Sequence, residues 1–215
     1  MAVTSAALFE QADHALQTGR YQELIPLYEQ LEFQVTAIDI DVVPLNNIFE
    51  PLLTSYLIAH DLQSARSLVQ RIPGELKTQA QQLHVLIQVY EMLRQWERQS
   101  GDLKDVYRLL HQSRWNSALA PLIAVLQDSI QDRELDLLAK AYTSLPLHLA
   151  ASRVSLEEDT VAEQLMATRG WRYDASTGLL YPKAPDATGN RAIGLQEFGK
   201  LADVVAHLEV RQESS

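Results

Sequence analysis

The sequence predicts an all-α helical-repeat array, tetratricopeptide-like, capped by a small α/β winged helix and followed by one C-terminal helix. Three observations predict it. Apolar residues recur at three- and four-residue steps through most of the 215 residues, the period of amphipathic helices. The segments are short and consecutive, so each needs neighbours to cover its apolar face, and a stacked superhelix is the natural arrangement. Between 154 and 182 the pattern changes. A short helix stops at Gly170, an alternating aromatic segment follows, and a turn containing Gly178 leads into a second apolar segment. With a longer helix over about 133–145 before it, the order is helix, short strand, helix, hairpin.

The elements follow in chain order. Leu8, Ala12, Ala15 and Leu16 define a helix over 5–18, which Gly19 breaks. Leu24, Leu27, Tyr28 and Leu31 define a second from about 21, with Pro26 early in it, where a missing N–H costs least. The two read as a helical hairpin. Over 37–44 the period fails and the chain reads as a connector. A third helix spans 45–60, and Leu62, Ala65, Leu68, Val69 and Ile72 carry a fourth up to Pro73 and Gly74. Leu76, Ala80, Leu83, Ile87, Tyr90, Leu93 and Trp96 predict one long helix over 75–99. Asp102 reads as the cap of the next, which carries Val106, Tyr107, Leu109 and Leu110. Trp115, Leu119, Leu122, Val125 and Leu126 mark another, with Pro121 as a kink or a late start, and helical spacing continues over 128–145 to stop before Pro146.

The cap comes next. The small strand is expected at 152–155. Ser155 reads as the N-cap of a helix over 156–168, with Glu158 as its capping-box partner. Leu156, Val161, Leu165 and Met166 are its expected core face. Trp171 and Tyr173 alternate with Arg172 and Asp174 as a half-exposed strand, residues 175–178 turn, and Leu179, Leu180 and Tyr181 return. Pro, Gly, Asp and Asn crowd the stretch after 183, which reads as a linker. Leu195, Phe198, Leu201, Ala202, Val205 and Leu208 then give one continuous apolar helical face. The expected organisation is 1–44 an N-terminal hairpin and connector, 45–130 the helical-repeat part, 131–183 the winged-helix part, 184–194 a linker, and 195–215 a C-terminal helix and tail.

Composition narrows the function. There is no cysteine, which excludes disulfides, thiolate chemistry and cysteine-bound zinc. The first residues lack a basic start, so no secretory signal is apparent, and the longest apolar stretches, such as 118–126, are too short to span a membrane. The six histidines have no metalloprotease spacing. No phosphate loop, nucleophile elbow or dinucleotide fingerprint occurs, so no catalytic, metal or cofactor residue is assigned and no cofactor is expected. The net charge of −10 disfavours nucleic acid. The helix that would enter a DNA groove carries Glu157, Glu158, Asp159 and Glu163, which would meet phosphates; Arg153, Arg172 and Lys183 make only a small basic patch. The winged hairpin instead presents an edge for strand pairing with another protein.

Three stretches carry a resemblance: Y-L-I-A-H-D-L-Q-S-A-R-S-L-V-Q-R-I-P at 56–73; W-E-R-Q-S-G-D-L-K-D-V-Y-R-L-L-H-Q-S-R-W-N-S-A-L-A-P-L at 96–122; and A-K-A-Y-T-S-L through G-W-R-Y-D to L-L-Y-P-K at 139–183. They resemble the PCI-domain family, and within it the smallest-subunit family of the COP-nine signalosome. The likeness covers about 45–183 and, less specifically, the last helix; residues 1–44 depart from the animal form. It implies a non-catalytic scaffold in the complex that removes the ubiquitin-like modifier Nedd-eight from cullins and so regulates cullin–RING ubiquitin ligases. It implies other PCI and MPN-type subunits as partners, no direct nucleic acid or membrane contact, and a place in cytoplasm and nucleus. Carried onto this chain, the winged-helix interface is Arg153, Val154, Arg172, Tyr173, Leu180 and Tyr181, with Trp171 beside them. The C-terminal bundle interface is Leu195, Phe198, Leu201, Ala202, Val205 and Leu208. Two alternatives stand beside it: a PCI subunit of the proteasome lid or of translation initiation factor three, and an RNA-binding PCI adaptor.

Overall fold

Helix α1 (Ser5–Gln17) buries Leu8, Ala12 and Ala15 and stops where Gly19 adopts a left-handed conformation, φ 72°. The Gly19 N–H donates to the Leu16 carbonyl at 3.3 Å and Arg20 to Ala15 at 2.9 Å, so the last turn keeps its carbonyls satisfied. The computed structural model describes residues 5–38, 44–99 and 103–183. After a single 3-10 turn, Tyr21–Glu23, come α2 (Leu24–Ile38), α3 (Asn46–Ile58), α4 (Leu62–Arg71), α5 (Gly74–Gln79), α6 (Gln81–Gln99), α7 (Lys104–Gln112) and α8 (Leu119–Ala141). Pro26 sits in the first turn of α2, where its missing N–H has no intrahelical partner to lose. The described residues fall into two compact units, drawn from Met1–Leu135 with His148–Glu158 and from Asp136–Leu147 with Asp159–Ser215.

In the first unit each helix packs on the next. Helix α3 is the centre, touching α2, α4 and α6, and every residue from 48 to 57 is buried. A helix apolar nearly all round must be covered all round. It ends as α1 does, except that the left-handed residue is His60, φ 56°, with Asp61 N–H donating to the Tyr56 carbonyl at 2.9 Å. Asp61 then caps α4, its carboxylate accepting from the Ser64 N–H at 2.9 Å, a contact of about 1 kcal/mol. Between helices, the Tyr56 hydroxyl donates to Glu29 at 2.6 Å, and Arg71 grips Glu32 with two bonds of 2.9 and 2.8 Å.

The long helix expected over 75–99 is two. Ala80 is extended (φ −86°, ψ 98°) and separates α5 from α6. Alanine has no side chain to cap the new helix. The buried carboxylate of Glu50 on α3 lies beside the Leu83 amide in the first turn of α6. Glu50 is only 3% exposed, and burial raises its pKa above the ordinary 4.5 against the opposing Leu83 bond. The fold therefore favours the protonated acid. That contribution is complete below the unfolded value and is lost as pH rises through the raised folded one. Glu50→Gln keeps the acceptor and removes the ionisation. Melting curves from about pH 4 to about pH 7 are expected to fall for the wild type relative to Glu50→Gln. Parallel curves would contradict a buried, ionising Glu50.

The proposed cap Asp102 lies outside the described residues. Helix α8 runs unbroken from Leu119 because Asn116 caps it, its side chain accepting the Leu119 N–H at 2.8 Å. Pro121 is therefore in the first turn, the late start rather than a kink. The helix ends at Ala141, short of 145.

The expected strand at 152–155 is helical. Leu147, Ala150, Ala151 and Val154 are buried at helical spacing in α9 (Leu147–Val154). The small strand lies earlier, at β1 (Leu145–Pro146). Ser155 does not cap a following helix. It takes a left-handed conformation, φ 55°, and ends α9, with the Leu156 N–H closing back onto Ala151 at 3.2 Å. Helix α10 (Glu158–Arg169) therefore starts at Glu158. Val161, Ala162 and Leu165 are its buried residues, whereas Met166, expected in the core, is exposed. Strands β2 (Arg172–Asp174) and β3 (Leu179–Tyr181) form the hairpin, and the antiparallel sheet has the order β1–β3–β2. Pro146 is tolerated because β1 is an edge strand.

Candidate interaction surface

The hairpin turn is built by Asp174. Its carboxylate accepts from the N–H of Ser176 at 3.0 Å and from its hydroxyl at 2.6 Å, and its carbonyl accepts from Gly178 at 2.9 Å. The Ser176 hydroxyl and N–H hold the Asp174 carboxyl below its ordinary pKa. Gly178 takes the left-handed conformation, φ 67°, that a turn of this kind requires.

That turn fixes the register Arg172↔Tyr181, Tyr173↔Leu180 and Asp174↔Leu179. One face of the hairpin carries Arg172 and Tyr181, the guanidinium 4.5 Å from the ring centroid, a cation–π pair across the strands. The other face turns inward: Leu180 pairs with Tyr173 on one side and with Leu145 of β1 on the other, and both leucines are fully buried. Trp171 is buried, while Arg172 is exposed and Tyr173 and Tyr181 are half-buried. Strand β2 is an edge, with no further strand beyond it among the described residues.

The structure thus brings four of the six expected hairpin-group residues together, Arg172, Tyr173, Leu180 and Tyr181. Arg153 and Val154 belong to α9 in the first unit. Arg153 lies 3.4 Å from the buried Glu134 carboxylate, and the carbonyl of the buried Val154 accepts from Gln131 at 3.3 Å. Leu195, Phe198, Leu201, Ala202, Val205 and Leu208 lie outside the described residues. On α10, Glu158, Asp159 and Glu163 are exposed, and Arg169 is joined to Asp136. Among the described residues no three His, Asp or Glu side chains are placed to hold a metal ion, and no helix is long and apolar enough to cross a membrane.

Two features had no one-dimensional reading. Glu50 and Glu134 are buried acids, and the only signal was an acid on an otherwise apolar helical face. The second is a link between helices: His60 Nε2 lies 2.6 Å from Glu97, which Arg133 also approaches at 3.3 Å, with its guanidinium over Trp96.

A helical-repeat array ending in a helix–strand–helix–helix–hairpin cap defines a protein that works by presenting surfaces to other proteins. The chain belongs to the CSN8/PSMD8/EIF3K family, whose model matches residues 46–190. It is 30% identical over 165 residues to COP9 signalosome complex subunit 8 of Danio rerio, covering 75% of this chain and 82% of that one. The same subunit of Xenopus laevis is 29% identical over 163 residues, 75% of this chain and 80% of the relative. That of Dictyostelium discoideum is 22% identical over 209 residues, 94% and 97% respectively.

Proposed function

We infer that the chain is a non-catalytic scaffold subunit of a COP9 signalosome complex. The observation that carries this reading is its family membership with relatives bearing that subunit's name, over most of both chains. Its partners are the other subunits of that complex, and its place is the cytoplasm and nucleus where such a complex would act on cullins. The β2 edge with Arg172 and Tyr173, backed by Tyr181 of β3, is one contact, extending the sheet into a neighbour's strand. The apolar face of Leu195, Phe198, Leu201, Ala202, Val205 and Leu208 is the other, gathered with helices of other subunits. Affinity capture of the tagged chain from its own cells, followed by mass spectrometry, tests the assignment. Signalosome subunits in stoichiometric amounts are expected; a set of proteasome-lid or initiation-factor subunits, or RNA alone, would refute it.

Truncation after Gly194 separates assembly from folding. A single helix in water is marginal without a partner for its apolar stripe. The truncated chain is expected to melt within a few degrees of the full one and to be lost from the captured complex. Normal incorporation of the truncated chain would defeat the assembly role of that segment.

A further inference from the structure

Outside the hairpin, the turn between α3 and α4 and the C-terminal half of α6 enclose a cleft of about 370 Å³. Arg66 of α4 and Arg94 and Arg98 of α6 line it, with His60 and Asp61 at the turn. Of the two acids in its lining, Glu97 accepts from His60 and Arg133, whereas Asp61 is bound only to the neutral Ser64 and keeps its charge, so three arginines stand against one uncompensated carboxylate. Among the described residues Arg94 is paired with Glu91 alone, a surface contact one turn away at 3.1 Å, and exposed pairs of this kind exchange partners at little cost. Arg66 and Arg98 have no carboxylate within salt-bridge distance among the described residues, in a chain whose net charge is −10. Tyr90, also lining the cleft, is 1% exposed, and its hydroxyl has no hydrogen-bond partner among those residues.

We propose that this cleft is a docking site for an extended acidic segment of a partner protein. Spacing favours a peptide over a compact anion. Arg94 and Arg98 stand one helical turn apart, about 6 Å along the axis. Alternate residues of an extended chain are about 6.6 Å apart, so carboxylates at every second position meet both arginines while Arg66 faces them from α4. The site lies on the repeat array and is independent of the β2 edge, so its failure and that of the scaffold assignment are read in different experiments.

The test uses the full chain and a fluorescein-labelled octapeptide of alternating glutamate and serine, followed by anisotropy at about 50 mM and about 150 mM salt. Saturable binding is expected, weaker at the higher salt, with the glutamine–serine counterpart at least about tenfold weaker. Arg66→Glu with Arg98→Glu is expected to weaken binding about tenfold or more. Arg20→Glu with Arg108→Glu, which makes the same change in net charge elsewhere, is expected to leave binding within about twofold. Circular dichroism confirms that each variant is folded. Absence of binding, equal binding of the glutamine peptide, or equal losses in the two double variants would overturn the proposal. So would inorganic phosphate displacing the labelled peptide at matched concentration, which assigns the cleft to a small anion.

Discussion

Leu53→Ala is expected to destabilise the first unit by about 2–5 kcal/mol. Leu53 is 0% exposed at the middle of α3, with α2, α4 and α6 packed around that helix. Truncation removes the transfer free energy of its outer carbons and leaves a cavity that three helices are too constrained to close. Urea melts of wild type and variant check this, with a lower midpoint and an unchanged slope. A loss under about 1 kcal/mol would mean that the array collapses around the vacancy. The sign is opposite to that expected for Glu50→Gln at neutral pH, although the two residues lie one turn apart on the same helix. One loses packing; the other loses a buried charge.

Leu180→Ala is expected to remove the sheet as a recognisable element. Leu180 sits at the centre of the middle strand, 0% exposed, with a register partner on each side, Leu145 and Tyr173. The strands are two and three residues long, so little else holds them. A cost of about 2–5 kcal/mol on so small a layer opens it locally. Amide hydrogen exchange is expected to lose protection across β1, β2 and β3 while α3 stays protected. If the β2 edge is an assembly contact, the captured complex is lost as well. Arg172→Ala is the companion variant. It removes an exposed cation–π pair of about 0.5–1 kcal/mol, so the sheet survives and a fall in capture reports on the surface alone. A Leu180→Ala chain with native exchange would show that the sheet does not depend on this side chain.

Much of this was legible in the sequence, for one physical reason: amphipathic stripes have a period. Leu8, Ala12 and Ala15, or Leu83, Tyr90 and Leu93, mark buried faces without any tertiary information. The hairpin was legible because Gly178 and the alternation around Tyr173 set both turn and register. The misreadings fall where local chemistry is ambiguous. A two-residue strand has no period, so Leu145 and Pro146 read as a helix running to its stop. Ser155 suits an N-cap, but its left-handed backbone is imposed by the turn after α9, and serine carries no mark of that. Ala80 is a good helix former, and nothing in its side chain marks the extended backbone it adopts. Among the candidate surface residues, alternation separated Arg172 from Leu180 but not exposed from buried. The cleft arginines were invisible because Arg66 and Arg98 meet only when α4 and α6 are placed together.

Glu50 has a consequence for how such an array is inherited. Repeat proteins are often treated as strings of interchangeable cassettes, each carrying its own folding information. Here the first turn of α6 meets a buried acid on α3, with two helices intervening in the chain. A graft of α5 and α6 from a relative would have to suit a buried acid at position 50. Duplicating or deleting the α4–α5 segment would break the same dependence. The first hairpin shares that kind of dependence, because Glu29 and Glu32 of α2 are bound by Tyr56 of α3 and Arg71 of α4, so change there is constrained from outside it as well.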